Sequence, residues 1–205
     1  MTAPQKRDPE ATRQTILGAA EALILEKGFA ATSVSEIAKR AGVTKSLIHH
    51  HFGSKEGLWT AVKMLKVSEY FGQQMSMLRN PDSSDNLLRD SIVTYFHFLQ
   101  SHPEVIRLLT WMTLEAEMPC TEEQKELFDL ALRRLTEFQE AGALRSDVRP
   151  AFILISFLSL VQGWFRAHGA PDMMLMGLEP SEDLNREYLE AMLKLFFEGV
   201  LSRPD

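Results

Sequence analysis

Cysteine occurs once in the 205-residue chain, at Cys120, so no internal disulfide can form and the class of small disulfide-stapled scaffolds is excluded. The N-terminal stretch MTAPQKRDPEATRQ lacks the apolar core of a signal peptide. Long hydrophobic runs are also scarce: the strongest, Ala151 to Phe165, is too short to span a bilayer comfortably. No stretch shows the alternation and β-branched enrichment of a strand, and there is no internal repeat or low-complexity tract. These absences point to a soluble, cytoplasmic, all-α protein with no membrane partner.

Positive charge is in short supply overall, with 22 basic against 28 acidic side chains and a net charge of −6. That total argues against a nucleic-acid partner, because neutralising phosphates supplies most non-specific affinity. The distribution reverses the argument. Up to Thr60 the chain has eight basic and six acidic residues, a net +2; the remainder has 14 and 22, a net −8. Three consecutive histidines, His49, His50 and His51, lie in the first part and can only add positive charge. Such opposed halves suggest separate partners.

What is present is helical periodicity, almost throughout. Asp8 followed by Pro9 reads as an N-cap and first helical residue, and the helix runs to about Lys27, with Ile16, Ala20, Leu23 and Ile24 on its apolar face and Gly28 as its stop. Ser33-Val-Ser-Glu36 is a capping box opening a short helix with Val34, Ile37, Ala38 and Ala41 inward. Gly42 then reverses the chain, and Thr44 caps a third helix from Lys45 to about Phe52. Two short helices joined by a tight turn around a glycine have the anatomy of a helix-turn-helix.

On that third helix, at 100° per residue, Ile48 and Phe52 point to the core. Ser46, Leu47 and His50 point away, flanked by Lys45 and His49. Such a face suits a DNA groove: polar groups reach phosphates and base edges, and leucine can meet a thymine methyl. Ser54 caps the following helix, whose inner stripe is expected at Leu58, Val62 and Leu65, and whose free amides with Lys55 could hold a phosphate. Later breaks predict helices at about 55–78, 85–101, 103–116, 121–141, 150–168 and 181–201, with 169–180 as a connection.

Metal binding and catalysis find no support in these residues. Adjacent histidines on a helix diverge by 100°, so His49, His50 and His51 cannot chelate one ion. Cys120, His97 and His102 join no nucleophile pattern. No metal, cofactor or enzymatic activity is expected.

The run from Thr32 to Leu58, TSVSEIAKRAGVTKSLIHHHFGSKEGL, together with Ala19 to Phe29, resembles the TetR-type transcriptional regulators. The glycine, the capping threonine, the His-Phe pair and the following lysine all match. The resemblance implies a helix-turn-helix DNA-binding domain over residues 1–55 and a larger helical effector-binding and dimerisation domain over 56–205. It implies a ligand-responsive repressor that binds a double-stranded, pseudo-palindromic operator as a homodimer. Thr44, Lys45, Ser46, Leu47, His49, His50 and His51 would lie along the DNA, with Lys55 on the backbone and Thr32 and Ser33 as further phosphate candidates. His49 stands where the family usually has tyrosine, and Leu47 where a small or polar residue is common.

The helix from Pro150 to His168 is hydrophobic on nearly all sides, so its outer flank needs cover, for which a second copy is the natural source. The last helix has a similarly broad stripe. TetR-like proteins pair through their last two helices, here about 150–168 and 181–201, and a two-fold dimer sets recognition helices about 34 Å apart. The family also implies an unidentified small-molecule effector among the middle helices. Phe96, His97, Trp111, Met112, Glu115, Phe128 and Trp164 are the candidate contacts, Glu115 because a carboxylate on an apolar face needs water or a partner.

Overall fold

The computed structural model describes residues 8–80, 86–115 and 121–201. Cys120 and the side chain of Glu115 lie outside the described residues. Among those described there are ten helices and no strand: α1 (Pro9–Lys27), α2 (Val34–Ala41), α3 (Lys45–Phe52), α4 (Lys55–Arg79), α5 (Leu87–Ser101), α6 (Pro103–Glu115), α7 (Glu122–Glu140), α8 (Pro150–Ala167), α9 (Pro171–Leu175) and α10 (Glu182–Val200). Nine correspond to expected helices. The tenth, α9, starts with proline at its first position, but five residues are too few to show a period.

Two compact units result: one holds residues up to 68 with 107–119, the other holds 69–106 with everything from 120 onward. The first unit holds α1, α2, α3, the first part of α4 and the greater part of α6. Its core gathers Ile16, Leu17, Ala20 and Ile24 of α1, Ile37 of α2, Ile48 of α3, Leu58, Trp59 and Val62 of α4, and Leu108 of α6. Fully burying such side chains contributes about 1.5 to 3 kcal/mol each relative to exposure. Two contacts reinforce it: Arg107 donates to the Leu25 carbonyl, and Lys66 pairs with Glu21 at 2.8 Å.

Leu65 does not join the inner stripe of α4; it is 46% exposed. The buried face of this 25-residue helix starts at Leu58 and Val62 and moves to Tyr70, Gln74 and Leu78, and Leu65 belongs to neither stretch. A long helix serving two cores need not keep one face inward.

In the second unit Ile153, Phe157, Val161 and Trp164 of α8 are buried, as are Leu189, Met192, Leu193 and Phe196 of α10. The apolar run at 151–165 reads as too short to span a bilayer, but α8 as a whole, at 18 residues, is long and apolar enough to cross a membrane by length and composition, a test that core helices of soluble proteins also pass. Its outer flank holds Phe152, Ile155 and Leu160 exposed, and α10 adds Leu195, 72% exposed. Trp164 Nε1 donates to Asn185 Oδ1 at 2.8 Å, and the two rings of Trp164 and Tyr188 stack with centroids 3.9 Å apart.

Candidate nucleic-acid interface

The helix-turn-helix is built by local rules. Ser33 Oγ accepts from the Glu36 amide at 3.2 Å while Glu36 Oε2 accepts from the Ser33 amide at 2.9 Å, a complete capping box. Lys27 at the end of α1 reaches the same carboxylate at 2.5 Å. The Lys27 bond first, then the Ser33 bonds, pull the Glu36 carboxyl down to about 2. Gly42 closes α2 with φ 65°, a left-handed conformation that a Cβ disfavours, and its amide returns to Ala38 and Lys39 carbonyls.

Thr44 then opens α3, its Oγ1 accepting from the Leu47 amide at 3.3 Å and lying 2.9 Å from Ser46 Oγ. Ile48 is 1% exposed and anchors the helix, which leaves Lys45, Ser46, His49 and His50 exposed. Leu47 and His51 are half-buried. His49 Nδ1 lies 3.0 Å from the Gly53 carbonyl, leaving its other ring nitrogen as the polar tip. The His50 and His51 rings meet edge to face at 5.6 Å. One helix therefore presents a cation, a hydroxyl and two imidazoles on one surface, groups matched to phosphate oxygens and base acceptors.

Other expected positions are arranged differently. Thr32 is 1% exposed, and its hydroxyl donates to the Gly28 carbonyl at 2.7 Å, so it has no free side-chain group to offer a phosphate. Ser33 is exposed, but its hydroxyl is engaged by Glu36 on both sides. Lys55 holds its Nζ 4.2 Å over the Phe29 ring and donates to the Ala30 carbonyl at 3.4 Å. The start of α4 is already supplied with an anion. The Glu56 carboxyl is held below its ordinary value first by its own backbone amide and then by the Ser54 hydroxyl, so a phosphate there would compete with it.

Lys39, on the last turn of α2, is a further candidate that the sequence did not single out. It is exposed and makes no ion pair among the described residues, unlike neighbouring Arg40, which meets Glu26 at 3.4 Å. A lysine in a last turn reads ordinarily as a complement to the helix dipole, which masked it.

The candidate effector contacts do not form one set. Trp111 and Met112 belong to the first unit, where Met112 packs on the core. In the second, Phe96 is buried and touches Phe165 and Tyr188, with ring centroids 4.8 and 6.4 Å away; Tyr188 in turn stacks on Trp164. His97 and Phe128 are exposed. None of Phe96, His97, Phe128 and Trp164 lines an open groove of about 360 Å³ in the second unit, between α5, α7 and α10. Among the described residues no three His, Cys, Asp or Glu side chains converge on a metal position.

The family description "bacterial regulatory proteins, tetR family" matches residues 16–62, and "tetracyclin repressor-like, C-terminal domain" matches 88–191. An HTH-type transcriptional repressor of Streptomyces coelicolor is 32% identical, over 77% of this chain and 80% of its own. The transcriptional regulator BetI of Rhizobium meliloti is 29% identical over 94% of both chains. Among solved structures, NalD, the secondary repressor of the MexAB-OprM multidrug efflux pump in Pseudomonas aeruginosa, aligns with a TM-score of 0.66 at 26% identity, covering 95% of this chain and 98% of that one. With both halves of the chain matched in family and the helix-turn-helix in place, this protein is a member of the TetR family of transcriptional regulators.

Proposed function

We propose that the protein is a ligand-responsive repressor that binds a pseudo-palindromic operator as a homodimer, with α3 in the major groove. The observation that carries this reading is the two-sidedness of α3: Ile48 is locked in the core while Lys45, Ser46, His49 and His50 face outward. Thr44 and Leu47 border that surface, and His51 flanks it. Ser33 and Lys55 contribute only by exchanging their present bonds, and Thr32 serves the fold.

The homodimer rests on the outer flank of α8 and α10. Phe152, Ile155 and Leu160 lie beside the small residues Ser156, Ser159 and Gly163, a surface suited to close helix approach and covered by a second copy. Repression is supported by the names of two relatives, the S. coelicolor repressor and NalD. An effector in the second unit would act by preferring one of two dimer conformations, and moving occupancy from 99:1 to 1:99 takes about 5.5 kcal/mol of differential binding.

The test is selection of bound duplexes from a random pool, followed by titration of the selected site. A sequence-specific, two-fold-symmetric site retarded by a species of two chains supports the reading. Equal affinity for selected and random DNA would overturn it.

A further inference from the structure

The groove in the second unit lies between the start of α5, the end of α7 with the turn after it, and the last two turns of α10. Its floor is apolar and buried: Leu87, Leu144 and Leu193. Phe138 and Phe197 form half-buried walls. The frame is held in place by backbone pairing and by one side-chain amide. Leu144 and Leu201 pair in an isolated antiparallel bridge, the Arg145 amide donates to the Val200 carbonyl at 3.0 Å, and Gln139 Nε2 donates to the Arg145 and Val148 carbonyls at 2.7 and 2.6 Å.

At the rim stand two cations, Arg89 and Lys194. Both are exposed, and neither makes an ion pair among the described residues. Arg89 is in the first turn of α5, where the helix dipole places partial positive charge and a cation is disfavoured. The acid of the same turn, Asp90, complements the dipole there, so the two rim cations are what distinguish the groove. An apolar floor and two exposed cations at its rim are together complementary to one kind of molecule, with a hydrocarbon body and a single anionic head.

We propose that this groove binds a small amphipathic carboxylate, a free aliphatic or aryl-aliphatic acid, with its hydrocarbon on Leu87, Leu144 and Leu193 and its carboxylate between Arg89 and Lys194. A volume of about 360 Å³ is near the lower end of the roughly 300–1,000 Å³ of small-molecule sites, which favours a compact acid over a polycyclic ligand. The proposal deepens the effector reading by naming a ligand class, but its test involves no DNA, so its failure leaves the operator reading standing.

The probe is decanoate, with 1-decanol as its uncharged counterpart, titrated into the full chain by calorimetry and by amide NMR. Expected are saturable decanoate binding, amide shifts centred on Leu144 and Lys194, and binding of decanol at least about tenfold weaker, since charge-assisted bonds to the carboxylate are lost. The double substitution Arg89→Gln, Lys194→Gln should weaken decanoate by at least about tenfold while leaving decanol unchanged. Lys194→Gln alone, at an exposed position, gives a smaller loss in the same direction and guards against misfolding of the double variant. Equal binding of acid and alcohol, undiminished binding by both variants, shifts centred on Phe96 and Trp164, or no saturation at millimolar decanoate would each overturn the proposal.

Discussion

A Cβ placed on Gly57 would stand 2.2 Å from the carbonyl oxygen of Phe52. The first turn of α4 thus sits directly on the last residue of α3, and only a glycine permits that approach. Gly57→Ala forces the backbone apart at the end of the candidate recognition helix. It should cost about 1 to 3 kcal/mol by overpacking. Urea unfolding should show the lower midpoint, and operator affinity should fall at protein concentrations where the variant is still folded.

Lys45→Ala removes an exposed cation with no ion pair among the described residues, so fold and stability should be unchanged within about 0.5 kcal/mol. If Lys45 neutralises one phosphate, the slope of log K against log salt flattens by about 0.9. Lys39→Ala tests that further candidate in the same way. Lys55→Ala differs from both, because it also removes the cation over Phe29 and should lower thermal stability. An unchanged salt slope in Lys45→Ala would remove α3's first residue from the interface.

Glu36 makes stability depend on acid pH in a defined direction. Its carboxyl is pulled from 4.5 to about 2 by Lys27 and Ser33, so the folded state favours the ionised form. That contribution is fully present above about pH 5 and is lost as pH falls from 4.5 toward 2. Thermal melts of wild type and Glu36→Gln should differ at pH 7 and converge near pH 2. A difference that persists unchanged at pH 2 would mean that Glu36 acts by packing instead of by charge.

Leu195, 72% exposed on α10, and Ile155, 56% exposed on α8, test the dimer. A charge at either position costs nothing in a free chain and a great deal in a covered interface. Leu195→Glu should shift light scattering from about twice 23.3 kDa toward 23.3 kDa with helicity retained. Operator affinity should fall with it, since one half-site is then bound at a time. A wild-type species of 23.3 kDa at micromolar concentration would count against the assembly.

Asn185→Leu leaves Trp164 Nε1 buried without an acceptor. The expected cost is about 1 to 3 kcal/mol, the penalty of an unsatisfied buried donor. Near-ultraviolet circular dichroism should also change, because the indole is stacked on Tyr188 at 3.9 Å. A variant as stable as wild type would show that water replaces the lost acceptor.

Features set by neighbours in sequence were legible. The capping box at Ser33 and Glu36, the reversal at Gly42, the Thr44 cap and the inward aim of Ile48 all follow from spacings of four residues or fewer. Features that depend on which core a residue meets were not. Leu65 has the right spacing from Leu58 and Val62 yet lies where α4 changes its buried face. Phe96 and His97 are 100° apart on α5, and with Phe96 buried His97 stands at the surface. Glu56 illustrates a third limit: a carboxylate in a first turn signals a helix start, but not that it folds back onto its own amide and competes there with any external anion.

The bridge between Leu144 and Leu201, with the Arg145 guanidinium on the Gly199 carbonyl at 3.2 Å, has a practical side. It makes the end of α10 a poor handle. A reporter fused directly after Leu201 pulls on the hydrogen bonds that shape the groove, and so records its own disturbance together with any ligand's. Proteolysis near Gly142 offers a cleaner readout: the exposed turn and the end of α10 hold each other, so cleavage there should slow whenever the groove is filled.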